Sequence, residues 1–201
     1  MMKFVSSKIA VLALVASAVP ALGGDVGTVK FRNCTWCHGE SAQGYGAAPR
    51  LAAQRPKYIA NQLLSFHNHT RNNPFSKQYM WGAAANLSPG TMRYLAVYFS
   101  TLPPQVANDG DKELAATGRA LYEHGNPDLN TVSCAVCHGP HAEGIREIPR
   151  LGGLSYYYLK RKLKQWGEGY HATAEPPMPR IASKLSDNQI EALASYLSFV
   201  K

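Results

Sequence analysis

The sequence predicts an all-α chain made of two tandem copies of one small domain. Three observations carry that expectation. The pentapeptide Cys-x-x-Cys-His occurs twice, as Cys34-Thr35-Trp36-Cys37-His38 and Cys134-Ala135-Val136-Cys137-His138, with starts 100 positions apart. Apolar residues recur at helical spacing in both halves, and no stretch shows the period-two alternation of a strand. A chain of 201 residues carrying such a repeat divides into two domains.

The amino terminus stands outside the repeat. Lys3 and Lys8 precede an apolar run from Ile9 to Val19, followed by Pro20-Ala21-Leu22-Gly23-Gly24. Basic, apolar and then small residues in that order are the plan of a secretory signal peptide. The run falls short of the ~20 residues that span a bilayer. Residues 1–23 are therefore assigned as a signal peptide, with cleavage after Ala21 or Gly23 both compatible, and the chain is expected in the periplasm. The first domain takes residues 24–101, a linker 102–110 and the second domain 111–201. The linker's Pro103-Pro104 pair makes it a semi-rigid spacer.

Each domain is expected to open on a helix before its motif. The second runs roughly from Asp111 to Glu123, and the first, from Asp25 to about Asn33, is shorter. The second copy also carries an additional loop, Gly125 to Ser133. After the motifs, Gly44 matches Gly144 and Pro49-Arg50-Leu51 matches Pro149-Arg150-Leu151. A helix follows in each, with Ile59, Leu63 and Phe66 against Leu159, Leu163 and Trp166 on one face. A two-residue deletion then shifts the offset to 98, so that Leu87-Ser88 matches Leu185-Ser186. Each serine is placed to N-cap a final helix, bearing Met92, Leu95 and Phe99 or Ile190, Leu193 and Leu197.

The two motifs use every cysteine in the chain. Two thiols three positions apart can each form a thioether to one vinyl group of a haem, and the adjacent histidine then reaches the iron. This is the signature of c-type haem attachment. Zinc ribbons set their cysteine pairs ~15–20 residues apart, a redox dithiol needs no histidine beside it, and two structural disulfides would not require identical pentapeptides each followed by glycine. The expected cofactors are two covalently bound haem c groups, on Cys34 and Cys37 and on Cys134 and Cys137. His38 and His138 supply one axial ligand each. Export agrees, since bacterial c-type haems are attached outside the cytoplasmic membrane.

The opposite axial position needs a ligand from later in each copy. Beyond the leader the methionines are Met80, Met92 and Met178. Met80 matches Met178 at the offset of 98, whereas Met92 matches Ile190 and reads as core packing. Pro176, Pro177 and Pro179 are expected to hold the backbone around Met178 extended. None of His67, His69, His124, His141 and His171 has a partner in the other copy, so bis-histidine ligation is the weaker choice. Met80 and Met178 complete the irons, and sulfur ligation raises the reduction potential. An axial histidine donates its other N–H to a fixed acceptor; the backbone carbonyls of Pro49 and Pro149 are placed for this. Arg50 and Arg150 are candidates for pairing with haem propionates, against the alternative of solvated surface arginines.

The formal charge is +8, lowered to +6 once Lys3 and Lys8 leave with the leader. Basic residues are scattered except for Lys160-Arg161-Lys162-Lys164, and no base-stacking aromatics are interleaved, so no nucleic-acid partner is expected. That run reads either as a face steering the protein onto an acidic redox partner or as a solvated helix face.

These features together resemble the dihaem cytochrome c4 family: tandem Cys-x-x-Cys-His-Gly motifs, Pro-Arg-Leu in both copies, and methionines before final helices that start at Leu-Ser. The resemblance covers about Gly24 to Lys201. It implies two tandem class I cytochrome c folds related by a pseudo-twofold axis, with propionate edges close together. It also implies a periplasmic carrier, often associated peripherally with the membrane, passing electrons from a quinol-oxidising complex towards a terminal oxidase. Tyr79-Met80-Trp81 has one methionine where family members often show two. The competing readings are a haem enzyme, of dihaem peroxidase or thiosulfate dehydrogenase type, and a fixed cytochrome subunit of a membrane complex. Two methionines at corresponding places fill both irons, which argues for an electron-transfer protein with no small-molecule substrate rather than an enzyme.

Overall fold

The computed structural model describes residues 32–170 and 177–201. The proposed signal peptide and most of the first helix before Cys34 lie outside them. Among the described residues the regular structure is helical, with two isolated β-bridges, Asn126 to Thr131 and Ile145 to Ile148.

The first copy comprises α1 (Arg32–His38), α2 (Pro56–His67), a π-helical turn (Ser76–Met80), α3 (Trp81–Ala84) and α4 (Pro89–Thr101). The second comprises α5 (Lys112–His124), α6 (Ala135–His138), α7 (Tyr156–Gly167), α8 (Met178–Ala182) and α9 (Asp187–Phe199). The two final helices start as their sequences require. Ser88 Oγ accepts from Thr91 N–H at 3.1 Å. Ser186 Oγ accepts from Gln189 N–H, whose own side chain closes a capping box. Pro56 and Pro89 sit in first turns, where a missing N–H removes no helical bond. In the additional loop, a 3₁₀ turn (Pro127–Leu129) is capped by the Asn126 side chain.

Each copy has its own core. Ile59, Leu95, Ala96 and Phe99 are buried together in the first, and Leu121, Tyr122, Leu159, Leu193 and Leu197 in the second. Met92 is 4 % exposed and Ile190 likewise 4 %, so the two occupy equivalent packed positions. Helix α5 crosses α9 at Gly118, where an added Cβ would overlap the Ala192 carbonyl oxygen. Gly118→Ala is therefore expected to cost about 2–3 kcal/mol through overpacking, read as a lower urea midpoint.

The linker is no free spacer. Gln43 of the first copy donates to Pro103 O at 2.9 Å and accepts from Gln105 N–H at 2.8 Å. Beyond it, Ala107 N–H bonds Gly153 O and Asn108 N–H bonds Ser198 O, at 3.1 and 3.0 Å. Asp109 accepts from Ser155 Oγ at 2.7 Å and from Tyr156 N–H at 2.8 Å, so a linker carboxylate caps α7 where Ser155 does not.

The copies meet in a reciprocal manner, as expected of a pseudo-twofold pair. Lys57 of the first bridges Glu147 of the second at 3.2 Å, while Tyr157 packs on Gly46. Gln54 donates to Arg150 O at 2.9 Å and accepts from Arg150 N–H at 2.7 Å. The most buried link is Arg50, 4 % exposed, whose Nη atoms donate to the carbonyls of Gln105, Gly152 and Gly153.

Candidate haem sites

Both motifs fold alike. Trp36 and Val136, between the cysteines, are 88 % and 78 % exposed, while the four cysteines are partly buried and unpaired. The helical turn thus puts Trp36 and Val136 out and leaves the thiols partly buried. Burial pushes the thiols of Cys34 and Cys134 up, the latter to about 11. Reactive dithiols are tuned the opposite way, so this burial works against thioredoxin-like chemistry. Among the described residues no group of three or more His, Cys, Asp or Glu side chains is placed to hold a metal ion.

The loop after each motif is duplicated almost bond for bond. Gly44 N–H and Gly144 N–H each bond the carbonyl of the motif histidine at 2.8 Å. Both glycines have positive φ, 69° and 67°, and a Cβ on either would overlap the backbone of the Pro-Arg dipeptide. Ala42 O accepts from Leu51 N–H at 2.9 Å and Ala142 O from Leu151 N–H at 2.8 Å. This folded loop returns the chain to the histidine. His38 Nδ1 lies 2.7 Å from Pro49 O, and His138 Nδ1 lies 3.0 Å from Pro149 O.

A carbonyl only accepts, so Nδ1 carries the proton and Nε2 keeps its lone pair. Both rings are 6 % exposed, and burial lowers their pKa against the opposing pull of the proline carbonyls. For His38, the positive charge of Arg71 lowers it further. Each motif therefore presents a buried, neutral, oriented imidazole beside two partly buried thiols, which is the donor set a haem c requires.

Met80 ends the π-helical turn and Met178 opens α8; both are partly buried. The short helices they adjoin pack on α2 and α7 respectively. Around Met178 the structure departs from the extended backbone expected. Pro177 is the N-cap and Pro179 lies in the first turn, where its ring is compatible with a helix. Pro176 and His171 lie outside the described residues. Of the other histidines, His67 Nδ1 lies 3.2 Å from Ala84 O, and His69 stacks on Trp81 with centroids 4.0 Å apart.

The Lys160–Lys164 run is not a free docking face either. Lys160 pairs with Glu191 at 2.6 Å and Lys164 with Asp187 at 2.9 Å. Arg161 donates to Gly46 O and Ala47 O across the domain interface, at 3.0 and 2.8 Å. Lys162 is pushed down to about 6, by burial first and then by Arg71 and Arg161.

Arg71 is a residue that the repeat could not reveal, because His171 stands at the matching place. Its Nη2 lies 3.4 Å from the hydroxyl of Tyr158, and its charge also acts on Tyr58. Tyr58 and Tyr158 do match at the offset of 100, the signal by which they are found. Burial, opposed by Arg71, raises Tyr58 to about 12. The Nε atoms of Arg50, Arg55 and Arg71 are buried without a partner. No carboxylate lies within 4.0 Å of these arginines among the described residues. Arginines with buried, unpartnered Nε atoms and no carboxylate on them suit the anionic edge of a haem.

The comparisons agree with this geometry. The family model described as cytochrome c matches residues 115–201. The cytochrome c4 of Thiocapsa roseopersicina is 32 % identical over 169 residues, covering 82 % of this chain and 85 % of the relative. The chain belongs to the cytochrome c4 family. The Acidithiobacillus ferrooxidans cytochrome c4 structure matches with a TM-score of 0.77 and 31 % identity, covering 83 % of this chain and 98 % of that one. A protein of Thiomonas intermedia named thiosulfate dehydrogenase electron acceptor is 35 % identical over 83 % of this chain and 77 % of its own length. As a cytochrome c4 the chain is two cytochrome c domains with two haem c groups. It transfers electrons between redox proteins and is not an enzyme.

Proposed function

We propose that the protein is a periplasmic dihaem carrier, exported on residues 1–23, that takes electrons from a quinol-oxidising complex or a dehydrogenase and delivers them towards a terminal oxidase. Cys34 and Cys37, and Cys134 and Cys137, form the thioethers; His38 with Met80, and His138 with Met178, are the axial pairs. The domains are 24–101 and 111–201, joined by 102–110. The observation that carries the reading is the repeated histidine-to-proline bond, which twice leaves a buried Nε2 lone pair available to iron. Each haem, once bound, supplies one iron that cycles between ferric and ferrous.

The chain's own residues set the conditions for that cycle. The carbonyls of Pro49 and Pro149 keep the imidazoles oriented, and thioether ligation favours the ferrous state. The buried guanidiniums of Arg50, Arg55 and Arg71 are the donors proposed for propionates at the interface, with Arg150 beside them. Among the described residues no helix is long and apolar enough to cross a membrane, which is compatible with a peripheral association.

A potentiometric titration followed by visible spectra tests the proposal. Two one-electron steps are expected, both haems showing sulfur-to-iron charge transfer when oxidised. Carbon monoxide and cyanide should bind negligibly at neutral pH. Rapid stoichiometric cyanide binding at one native haem would defeat the six-coordinate carrier.

A further inference from the structure

We propose that Trp81 is the positioning residue for the thioether of Met80, acting through an aromatic clasp that the second copy lacks. The inference rests on the reading of Met80 as an iron ligand. Trp81 follows Met80 directly, at the point where the π-helical turn passes into α3. Fixing its indole therefore fixes the backbone from which the sulfur projects. π-turns shift the helical register by one residue and recur at functional sites, but a single such turn needs outside support to persist.

That support comes from the segment following α2. The Trp81 indole N–H donates to Arg71 O at 2.9 Å, and the His69 ring stacks on the indole at 4.0 Å with 15° between planes. His69 reaches this place with a φ of 59°, a left-handed conformation uncommon outside glycine, though histidine adopts it more readily than most. His67 meets Ala84 O one turn further along, closing the clasp on α3. Below the turn, Asn73 and Ser76 are each 3 % exposed and bonded side chain to side chain at 2.7 Å. Arg71 is anchored in turn: its N–H bonds Ser65 O, Nη1 meets Gln62 Oε1, and the guanidinium lies 4.7 Å above the Phe66 ring.

At the offset of 98 the second copy has Pro179 in place of Trp81, and Pro177 before its methionine. One sulfur is thus set by covalent ring restraint and the other by a stack and a hydrogen bond. Side-chain contacts can open by local motion; a proline ring cannot. The Met80 ligand is accordingly the more exchangeable of the two, and the first haem is the one that foreign ligands reach first.

The test uses the oxidised dihaem protein, with cyanide at high concentration as the probe and sulfur-to-iron charge transfer as the second readout. Trp81→Ala should raise the rate of cyanide entry at one haem about tenfold, as loss of a stack and a hydrogen bond implies, leaving the other haem at the native rate. Trp81→Phe keeps the stack and loses the donor, so its rate should lie between. His69→Ala leaves Trp81 in place and should give about threefold. If Trp81→Ala fails to fold, His69→Ala and Trp81→Phe decide. Native rates at both haems in the folded variants overturn the clasp. Met80→Ala separates this failure from that of the ligand assignment: undiminished charge transfer there means Met80 is not a ligand at all, whereas a halved band with inert clasp variants rejects the clasp alone.

Discussion

Arg50→Ala is expected to split the thermal unfolding of the protein into two transitions and to lower the first by several degrees. Arg50 is nearly inaccessible, and its guanidinium serves three carbonyls, those of Gln105, Gly152 and Gly153. Its pKa is held down only to about 10, by burial and by Arg150, so it stays charged at neutral pH. Removing it takes a donor from each carbonyl, leaving Gly153 O with Ala107 N–H and Gly152 O with a long contact to Arg150 Nε, and empties a buried site at the contact between domains, at a cost of about 1–3 kcal/mol. Lysine should recover under half of that, because one ammonium cannot reach carbonyls fixed for a planar fork. Differential scanning calorimetry of the dihaem protein is the measurement. A single unshifted transition for Arg50→Ala would show that other contacts hold the domains together.

The second large effect lies at the sixth ligands. Met178→Ala and Met80→Ala should each remove about half of the sulfur-to-iron charge-transfer intensity and lower one of the two potentials. A fall of roughly 0.2 V is expected, within the ~0.8 V range that axial ligands command. Each variant should also gain one equivalent of bound cyanide, and the double variant two. Retention of the full band in either single variant would falsify that ligand assignment, leaving the thioether attachment untouched.

Much of this was legible in the chain because it is written twice. The offset between copies pairs Gly44 with Gly144 and Pro49 with Pro149, and the structure shows why: both pairs build one loop that returns a carbonyl to a histidine. The N-caps Ser88 and Ser186 were legible for a local reason, since a cap depends on its own next three residues. Features belonging to one copy, or to the contact between copies, were not. The Lys160–Lys164 run looks like a docking face in composition, yet Glu191, Asp187 and the Gly46 and Ala47 carbonyls absorb it from distant parts of the chain. Arg50 and Arg150 are indistinguishable in sequence, but Arg50 lies against Gly153, where an added Cβ would come within 2.7 Å of its Nη1, whereas the first copy has Ala53 at the matching place. Trp81 and Arg71 have no repeat partner to draw attention to them.

Asp109 bears on how the protein can be cut. A second domain produced alone from Asp111 onwards would begin at the residue where the repeat begins, but it would lack the carboxylate that caps α7 and the backbone bonds to Gly153 and Ser198. One begun at Val106 would carry all three. The shorter fragment should fray at Tyr156 and expose the α7 face beside its haem; the longer should fold as it does in the whole chain. Five residues of apparent tether thus belong to the domain they lead into, and a protease that nicks the chain does least harm on the amino-terminal side of Val106.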